Sequence, residues 1–385
     1  MYVLMVPSWY ENNTQPTLGS FFREQAEGLV RKGVKVVIAY PGFNGLKTFG
    51  KNNIKRCKYE KNGVYIYRFD TYNYLFDKLP YDVKQRYFKK KLFSLYKEIL
   101  IDHGKPDIIQ AHSAILAGYG CTELGKTYDI PVVITEHSSA FLQNNFKKDT
   151  LKLIKKSLKN SDLILAVSNG LKKYIKEYTN KNIDVIPNMV DTDIFIPKLS
   201  KCNNKKFKFI TVCYLNDNKG LDILIKAFAE KFNNNDNVEL AIGGDGLLLD
   251  SLKELSICLG VRDKVKFLGA LKRNEVVQEM NNSHCFVLPS RYETFGVVLI
   301  EALSCGLPLI STKTSGPSEI INEKNGILVE VDNVKELANA MYDVYINYSR
   351  YIKNDIRKEC VEKYSVNIIL DKLIDNYTAV LRKDE

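Results

Sequence analysis

The sequence predicts an α/β protein made of two domains, each built on a parallel sheet. The first observation is length, because 385 residues suit two domains of about 150–200 residues better than one. The second is pattern: short apolar runs alternate with segments of helical periodicity, and such alternation favours parallel sheets. The third is composition, since 45% hydrophobic and 26% charged residues are typical of globular proteins.

The first half carries seven predicted strands, and helical patterns lie between most of them. A helix over Gly19–Lys32 places Phe22 and Leu29 on one face and ends at Gly33, a residue type that commonly ends helices. The predicted strands are Val3–Val6, Val34–Ala39, Val64–Phe69, Asp107–Gln110, Val132–Thr135, Leu163–Val167 and Asp184–Ile186.

The second half repeats the alternation after a polar hinge. Val185–Asp191 gives way to the polar segment Lys198–Lys206, so we expect domains over 1–195 and 196–364. A terminal helix is predicted within 365–385. The predicted strands are Phe207–Val212, Val238–Ile242, Val265–Phe267, Cys285–Leu288 and Leu309–Ile310.

Apolar stretches and cysteines predict a cytoplasmic protein. No apolar stretch reaches the roughly 18 residues of a membrane helix, and Met1–Val6 is short enough to be a strand instead of a signal peptide. The eight cysteines are scattered without a Cys-x-x-Cys pair, which favours free thiols over a disulfide or zinc framework.

The excess positive charge lies in the first half. Residues 1–195 hold 30 Lys+Arg against 19 Asp+Glu, whereas residues 196–385 hold 26 against 26. No nucleic-acid-binding motif accompanies this charge, so an anionic membrane or a lipid diphosphate acceptor fits better, at the inner face of the membrane. A lysine-rich composition without functional meaning is the alternative. The clusters are Lys89, Lys90 and Lys91, and Lys152, Lys155, Lys156 and Lys159.

One predicted helix, roughly 82–101, is the best candidate for such a surface. Its core-facing stripe should be Val83, Tyr87, Leu92, Leu95 and Ile99. The lysines expected away from the stripe are Lys84, Lys89, Lys90, Lys91 and Lys97.

Two glutamates, Glu293 and Glu301, stand eight residues apart around the start of a predicted helix. The helix follows the strand Cys285–Leu288 and runs from about Gly296 to Gly306. The amides of Phe295, Gly296, Val297 and Val298 would form its positive end, which suits a phosphate. Two carboxylates that accept from hydroxyls, beside an anion site, are what a sugar nucleotide needs.

These residues and four further motifs resemble the retaining glycosyltransferases of family 4 (glycosyl transferases group 1), which have the GT-B architecture. Glu293-x7-Glu301 matches the family signature, and the companion motifs follow the family in order and spacing. The resemblance implies two Rossmann-like domains facing a cleft, with the nucleotide-sugar on the second and the acceptor on the first. It also implies that the terminal helix, 365–385, crosses back onto the first domain. The companions are Lys219-Gly220, Gly243–Gly246, Phe267–Gly269 and Ser315–Glu319.

The resemblance also implies roles. Glu301 would bind ribose, Glu293 and His137 the donor sugar, and Lys219 the diphosphate. Tyr214 stands where the family usually has an arginine, so one cationic diphosphate contact is missing or replaced, and Arg291 is a candidate replacement. The remaining expected donor contacts are Phe295, Gly296, Val297, Val298, Gly19 and Gly244.

Acceptor and metal assignments are less specific. Trp9 and Tyr10 could stack on an acceptor sugar or pack locally, and His112 is a weaker candidate. Asp191-Thr192-Asp193 has the Asp-x-Asp form of metal-binding glycosyltransferases but lies in the linker, so we expect neither a metal nor another cofactor.

The resulting expectation is a metal-independent, retaining hexosyltransferase of cell-surface polysaccharide synthesis. Its donor would be a UDP-sugar, with GDP-mannose second, and its acceptor a glycan or lipid-linked glycan. The alternatives are a sugar-nucleotide epimerase or a glycan phosphorylase of the same fold, and a non-catalytic protein that senses a sugar nucleotide.

Overall fold

The computed structural model describes residues 1–11, 18–44, 56–72, 79–198 and 206–382. The chain forms two compact units. The first comprises Met1–Val167, Leu171–Pro187 and Ile369–Glu385, and the second comprises Ser168–Gly170 and Asn188–Ile368. The division therefore falls before Asn188 and not at residue 195. Residues 199–205 of the expected hinge lie outside the described part of the chain.

The first unit contains an eight-stranded sheet of order β10-β9-β8-β7-β1-β2-β5-β4. All neighbours are parallel except the pair formed by β4 and β5. The sequence missed β4, because its charged residues are typical of an exposed edge. The strands are β1 (Tyr2–Pro7), β2 (Lys35–Tyr40), β3 (Phe43–Asn44), β4 (Cys57–Lys61), β5 (Val64–Arg68), β6 (Thr71–Tyr72), β7 (Ile108–His112), β8 (Val132–Glu136), β9 (Leu163–Ala166) and β10 (Asp184–Val185), where β3 pairs with β6 separately.

Helices connect these strands. The helix predicted over Gly19–Lys32 begins and ends within a residue of that range, and Phe22 and Leu29 are buried as expected. The helices are α1 (Ser20–Arg31), α2 (Tyr81–His103), α3 (Tyr119–Tyr128), α4 (Ala140–Gln143), α5 (Lys148–Asn160) and α6 (Asn169–Lys176), with a π-helical turn at Ala114–Gly118.

The faces of helix α2 differ from the prediction that its lysines lie away from the core. Lys91 is buried, and its ammonium donates to Thr71 Oγ1 and lies 4.2 Å from the centre of the Phe43 ring. Burial lowers the pKa of Lys91 to about 8, against the opposing charge of Asp70. Tyr87, predicted to face the core, is 49% exposed.

Lys89 is engaged as well. Its ammonium lies 2.9 Å from Glu123 Oε2, and Lys156 pairs with the other oxygen of that carboxylate at 3.0 Å. The lysine run in α2 is therefore not a free basic surface.

The second unit contains a six-stranded sheet, parallel throughout, of order β13-β12-β11-β14-β15-β16. Numbered within the unit, this is the Rossmann order 3-2-1-4-5-6, whose order reverses between β11 and β14. The strands are β11 (Phe207–Val212), β12 (Val238–Gly243), β13 (Val265–Gly269), β14 (Cys285–Leu288), β15 (Leu309–Thr312) and β16 (Gly326–Val329). The helices are α7 (Leu221–Phe232), α8 (Leu249–Cys258), α9 (Arg273–Asn281), α10 (Val297–Ser304), α11 (Pro317–Ile320), α12 (Val334–Ile346) and α13 (Lys353–Tyr364).

The terminal helix α14 (Val366–Leu381) contributes its residues from Ile369 onward to the first unit. There the Tyr377 hydroxyl donates to Gln110 in β7, and Asp371 pairs with Lys32 at 2.8 Å. Within the described residues, no helix is both long and apolar enough to span a bilayer. The cysteines within the described residues are free thiols.

Candidate functional site

The point where the strand order of the second unit reverses brings Lys219 and Glu293 together. Lys219 lies in a 3-10 turn after β11, and Glu293 lies in the loop after the neighbouring strand β14. Their Nζ and Oε2 atoms are 2.8 Å apart. Burial alone would lower the pKa of Lys219, but the charge and hydrogen bond of Glu293 outweigh burial and raise it. Ligands of open α/β sheets bind at this point.

Glycine at position 220 is required for this geometry. Gly220 has φ 61°, and a Cβ there would overlap the carbonyl oxygen of Pro289. The turn that carries Lys219 therefore approaches the end of β14 closely only because position 220 has no side chain.

The loop after Glu293 leads into an N-terminus with free amides. Gly296 has φ 90° and precedes α10. Within the described residues, the amides of Phe295, Gly296, Val297 and Val298 donate to no backbone or side-chain acceptor. Such amides and the helix dipole stabilise an anion. The arrangement suits the phosphate expected there.

The predicted motif around Gly316 supports that loop. The Gly316 amide donates to the Glu293 carbonyl at 3.2 Å, and a Cβ on Gly316 would overlap the Phe295 backbone. A glycine at this position therefore lets α11 pack directly against the loop.

Glu301 lies in the second turn of α10 and is only 7% exposed. Its Oε1 atom accepts a hydrogen bond from Arg273 Nη1 at 2.7 Å. Burial raises the pKa of Glu301, and the charge of Arg273 opposes that effect. Arg273 was not predicted from the sequence; it lies at the first position of α9.

Two expected donor contacts are corrected. The Arg291 guanidinium binds Asp222 at 3.1 Å, Asp332 at 2.8 Å and the Asp217 carbonyl, so it braces the loop and does not replace the missing arginine. The Gly244 amide donates to Gly269 at 2.7 Å and is not available to a phosphate. A Cβ on Gly244 would overlap the Cys213 carbonyl, so this glycine is needed for packing.

His137 and His112 form a pair in the first unit. His112 is the last residue of β7, His137 directly follows the neighbouring strand β8, and His112 Nδ1 lies 3.1 Å from His137 Nε2. Burial lowers the pKa of His137 to about 3 and that of His112 well below its usual value, with the His137 charge adding to the effect on His112. Both imidazoles are therefore neutral at physiological pH. Since His112 is fully buried, it is not the acceptor contact expected from the sequence.

A buried carboxylate holds the loop that carries His137. Glu136 accepts from the Ser113 hydroxyl at 2.9 Å and from the amides of Ala114, His137 and Ser138 at 2.7–2.9 Å. Burial raises the pKa of Glu136, and these four donors oppose that rise. The loop after β8 is thereby tied to the turn after β7.

The structure distinguishes the two aromatic candidates, Trp9 and Tyr10, in the segment before α1. Gly19 precedes α1 with φ 70°. Trp9 is half-buried, with its ring 5.4 Å from that of Phe22, and remains a predicted acceptor contact. Tyr10 is fully buried against Tyr40, so its assignment as an acceptor platform is wrong. Residues 12–17 of this loop lie outside the described residues.

The Asp-x-Asp segment of the linker has a local structural function. Asp191 Oδ1 accepts from the amides of Asp193 and Ile194 at 3.1 and 3.3 Å. In the described part of the chain, no three His, Cys, Asp or Glu side chains come together as metal ligands. Metal independence stays a prediction.

Two family models match the chain. Residues 18–194 match Glycosyltransferase Family 4, and residues 192–362 match Glycosyl transferases group 1.

Curated relatives include two proteins with an assigned activity and one without. The Phosphatidylinositol N-acetylglucosaminyltransferase gpi3 subunit of Schizosaccharomyces pombe is 30% identical over 227 residues, which are 58% of this chain and 48% of that protein. A human protein named as a subunit of the same transferase is 28% identical, over 85% of this chain and 65% of its own length. An uncharacterized glycosyltransferase of Methanocaldococcus jannaschii is 27% identical over 98% of both chains. The chain thus spans about half to two thirds of the two named transferase subunits.

Solved structures share the fold at low sequence identity. Sucrose-phosphate synthase from Thermosynechococcus elongatus has a TM-score of 0.80 and 18% identity, with full coverage of both chains. HepE of Anabaena, solved with UDP, has a TM-score of 0.78 and 18% identity, over 98% of this chain and 100% of its own. The same protein solved with UDP-glucose has a TM-score of 0.76 at the same identity and coverage. The chain therefore belongs to glycosyltransferase family 4, glycosyl transferases group 1, and has the GT-B fold.

Proposed function

We propose that this glycosyltransferase moves a hexose from a UDP-sugar to a lipid-linked or glycan acceptor, with retention of anomeric configuration. The observation that carries the proposal is the arrangement in the second unit. The Lys219–Glu293 pair and the buried Glu301 lie around the free amides at the start of α10. A cation and free amides suit a diphosphate, while the two carboxylates suit hydroxyls of ribose and sugar.

The reaction would use these groups as follows. Glu301 accepts from ribose hydroxyls and Glu293 from hydroxyls of the donor sugar. Lys219 exchanges its contact with Glu293 for the diphosphate and, with the α10 amides, stabilises the charge that grows as the anomeric C–O bond breaks. Donors of this kind contribute about 3 kcal/mol each to transition-state stabilisation.

Retention would follow from attack on the face that the diphosphate leaves. The acceptor oxygen forms the new bond to the anomeric carbon, and its proton passes to the departing phosphate oxygen. The neutral imidazole of His137 would contact the donor sugar without taking a proton. No nucleophile of the enzyme is needed.

The names of relatives and neighbours support the substrate classes. HepE is described in complex with UDP and with UDP-glucose, which supports a UDP-sugar over GDP-mannose. Two relatives are named as phosphatidylinositol N-acetylglucosaminyltransferases, which supports an acceptor carried on a phospholipid. Synthesis of a cell-surface glycan from cytoplasmic sugar nucleotides fits both.

The surface for an anionic membrane is better placed on α5 than on α2. Lys152, Lys155 and Lys159 of α5 are exposed, and no ion pair engages them among the described residues. The apolar residues Ile154 and Leu158 lie on the buried side of the same helix. Basic residues near an anionic surface contribute about 1 kcal/mol each.

Co-sedimentation with liposomes tests this surface. Reversing Lys152, Lys155 and Lys159 to Glu should abolish pelleting with phosphatidylglycerol vesicles at low salt, because roughly 3 kcal/mol of attraction is lost. The matched control reverses three exposed lysines of the second unit, Lys324, Lys335 and Lys358, and should pellet as the parent does. Equal loss in both variants would indicate a response to net charge alone.

A panel of sugar nucleotides tests the donor. Thermal stability with UDP-, GDP-, ADP- and dTDP-sugars should rise most with a UDP-sugar, because a ligand that binds the native state stabilises it. A rise with GDP-mannose alone would replace the UDP assignment, and no rise with any donor would contradict the proposed site.

A further inference from the structure

Arg273 occupies a fixed position beside Glu301. It opens α9, whose start is held by a hydrogen bond at 2.6 Å from the Lys272 amide to Glu275 Oε2. The guanidinium lies 4.6 Å from the centre of the Phe195 ring. The helix start and the aromatic face together aim the side chain at α10.

The contact between Arg273 and Glu301 involves one carboxylate oxygen. Nη1 donates to Oε1 at 2.7 Å, whereas Oε2 accepts no hydrogen bond within the described residues. A carboxylate has about four acceptor positions, so the second oxygen keeps its capacity for hydroxyl donors. A charge-assisted bond to a planar guanidinium also fixes the orientation of the carboxylate.

Burial makes this partner necessary. The Glu301 side chain is only 9% exposed, against 28% for Arg273, so the carboxylate has lost much of its hydration. An ionised carboxylate in such surroundings needs a compensating charge, because burial favours its neutral form. A protonated Glu301 would also have weaker acceptor oxygens.

We propose that Arg273 is a positioning residue for nucleotide recognition. It keeps Glu301 ionised and turned so that Oε2 receives the ribose hydroxyls of the donor. This inference rests on the proposed role of Glu301 and adds the residue on which that role depends.

Calorimetry on four proteins separates this role from direct contact with the nucleotide. They are the parent, Arg273→Gln, Glu301→Gln and the double variant, each titrated with UDP. Arg273→Gln should weaken UDP binding about tenfold in the parent background and less than twofold in the Glu301→Gln background, because residues that act through one contact are not additive. Arg273→Lys, which keeps the charge, should recover part of the loss.

A UDP analogue without ribose hydroxyls provides the second readout. Affinity for 2′,3′-dideoxy-UDP should be the same in the parent and in Arg273→Gln, which a general structural defect would not allow. An equal loss for both ligands, or a tenfold effect that persists with Glu301→Gln, would overturn the role of Arg273 alone. If Glu301→Gln binds UDP as the parent does, the proposed donor site fails, and this inference fails with it.

Discussion

Replacing Lys219 by methionine tests the phosphate contact of the donor site. The substitution keeps most of the length of the side chain and removes its charge. In the structure Lys219 already has an ionic partner 2.8 Å away, and the two side chains are 21% and 13% exposed. A diphosphate must therefore displace Glu293 from Lys219, so the net gain in affinity is less than the full strength of a charged hydrogen bond, which is about 1.5–3 kcal/mol. Lys219→Met also leaves the Glu293 carboxylate without its cation beside the phosphates, and we expect UDP affinity to fall roughly tenfold.

Calorimetry with UDP and with uridine is the assay for Lys219→Met. Uridine has no phosphate, so its affinity should not change. Lys253→Met is the matched control, because that lysine is 41% exposed and its nearest carboxylate, on Asp250, is 3.9 Å away. Thermal melting without ligand checks that both variants fold. Equal UDP affinity in the parent and Lys219→Met, or equal weakening for UDP and uridine, would refute the assignment.

Three further predictions concern the reaction and the core. Glu293→Gln should lower turnover by at least tenfold while UDP affinity changes much less, since the proposed partner of Glu293 in the donor complex is the sugar; parallel losses in both measurements would contradict this. EDTA-treated protein should keep most of its transfer activity, and complete loss rescued by Mn²⁺ or Mg²⁺ would contradict metal independence and make Asp191 and Asp193 candidate ligands again. Lys91→Met should remove a pH-dependent part of stability: because the folded pKa is about 8 and the usual value 10.5, the parent gains roughly 3 kcal/mol as pH rises through that window. The advantage of the methionine variant should shrink by that amount in melts between pH 7 and 10.5, and a constant difference would be evidence against the buried ammonium.

Local sequence patterns predicted most of the strands, because a buried strand is formed by a short run of apolar residues that the sequence shows directly. The apolar runs at β11 and β14 predicted the observed bounds, since both strands are central and buried. β16 was missed because Gly326 begins it and only four residues form it.

The bounds of helix α2 were predicted well, but the face that the helix buries was not predicted correctly. Lys91 lies at helical spacing with the buried Phe88 and Leu95, and only its charge argued for solvent.

The site residues that lie in sequence motifs were predicted, whereas their partners outside the motifs were not. Lys219 and Glu293 were expected in one site, and the pair is observed because their strands are neighbours at the point of order reversal. The partner of Glu301 was not expected, because Arg273 is 28 residues away along the chain and meets Glu301 only in the folded unit. The burial of Tyr10 likewise depends on Tyr40 of another strand, which no local pattern shows.

Nucleotide release in the presence of lipid tests the central claim most directly. The protein is incubated with the UDP-sugar that stabilises it most and with a cell-envelope lipid extract, and free UDP is measured over time. We predict release that depends on both the lipid and the protein, that falls at least tenfold in Glu293→Gln, and that yields a glycolipid with the anomeric configuration of the donor. Tight binding of the UDP-sugar without release in any lipid fraction would contradict catalysis and indicate a sensor of sugar nucleotides.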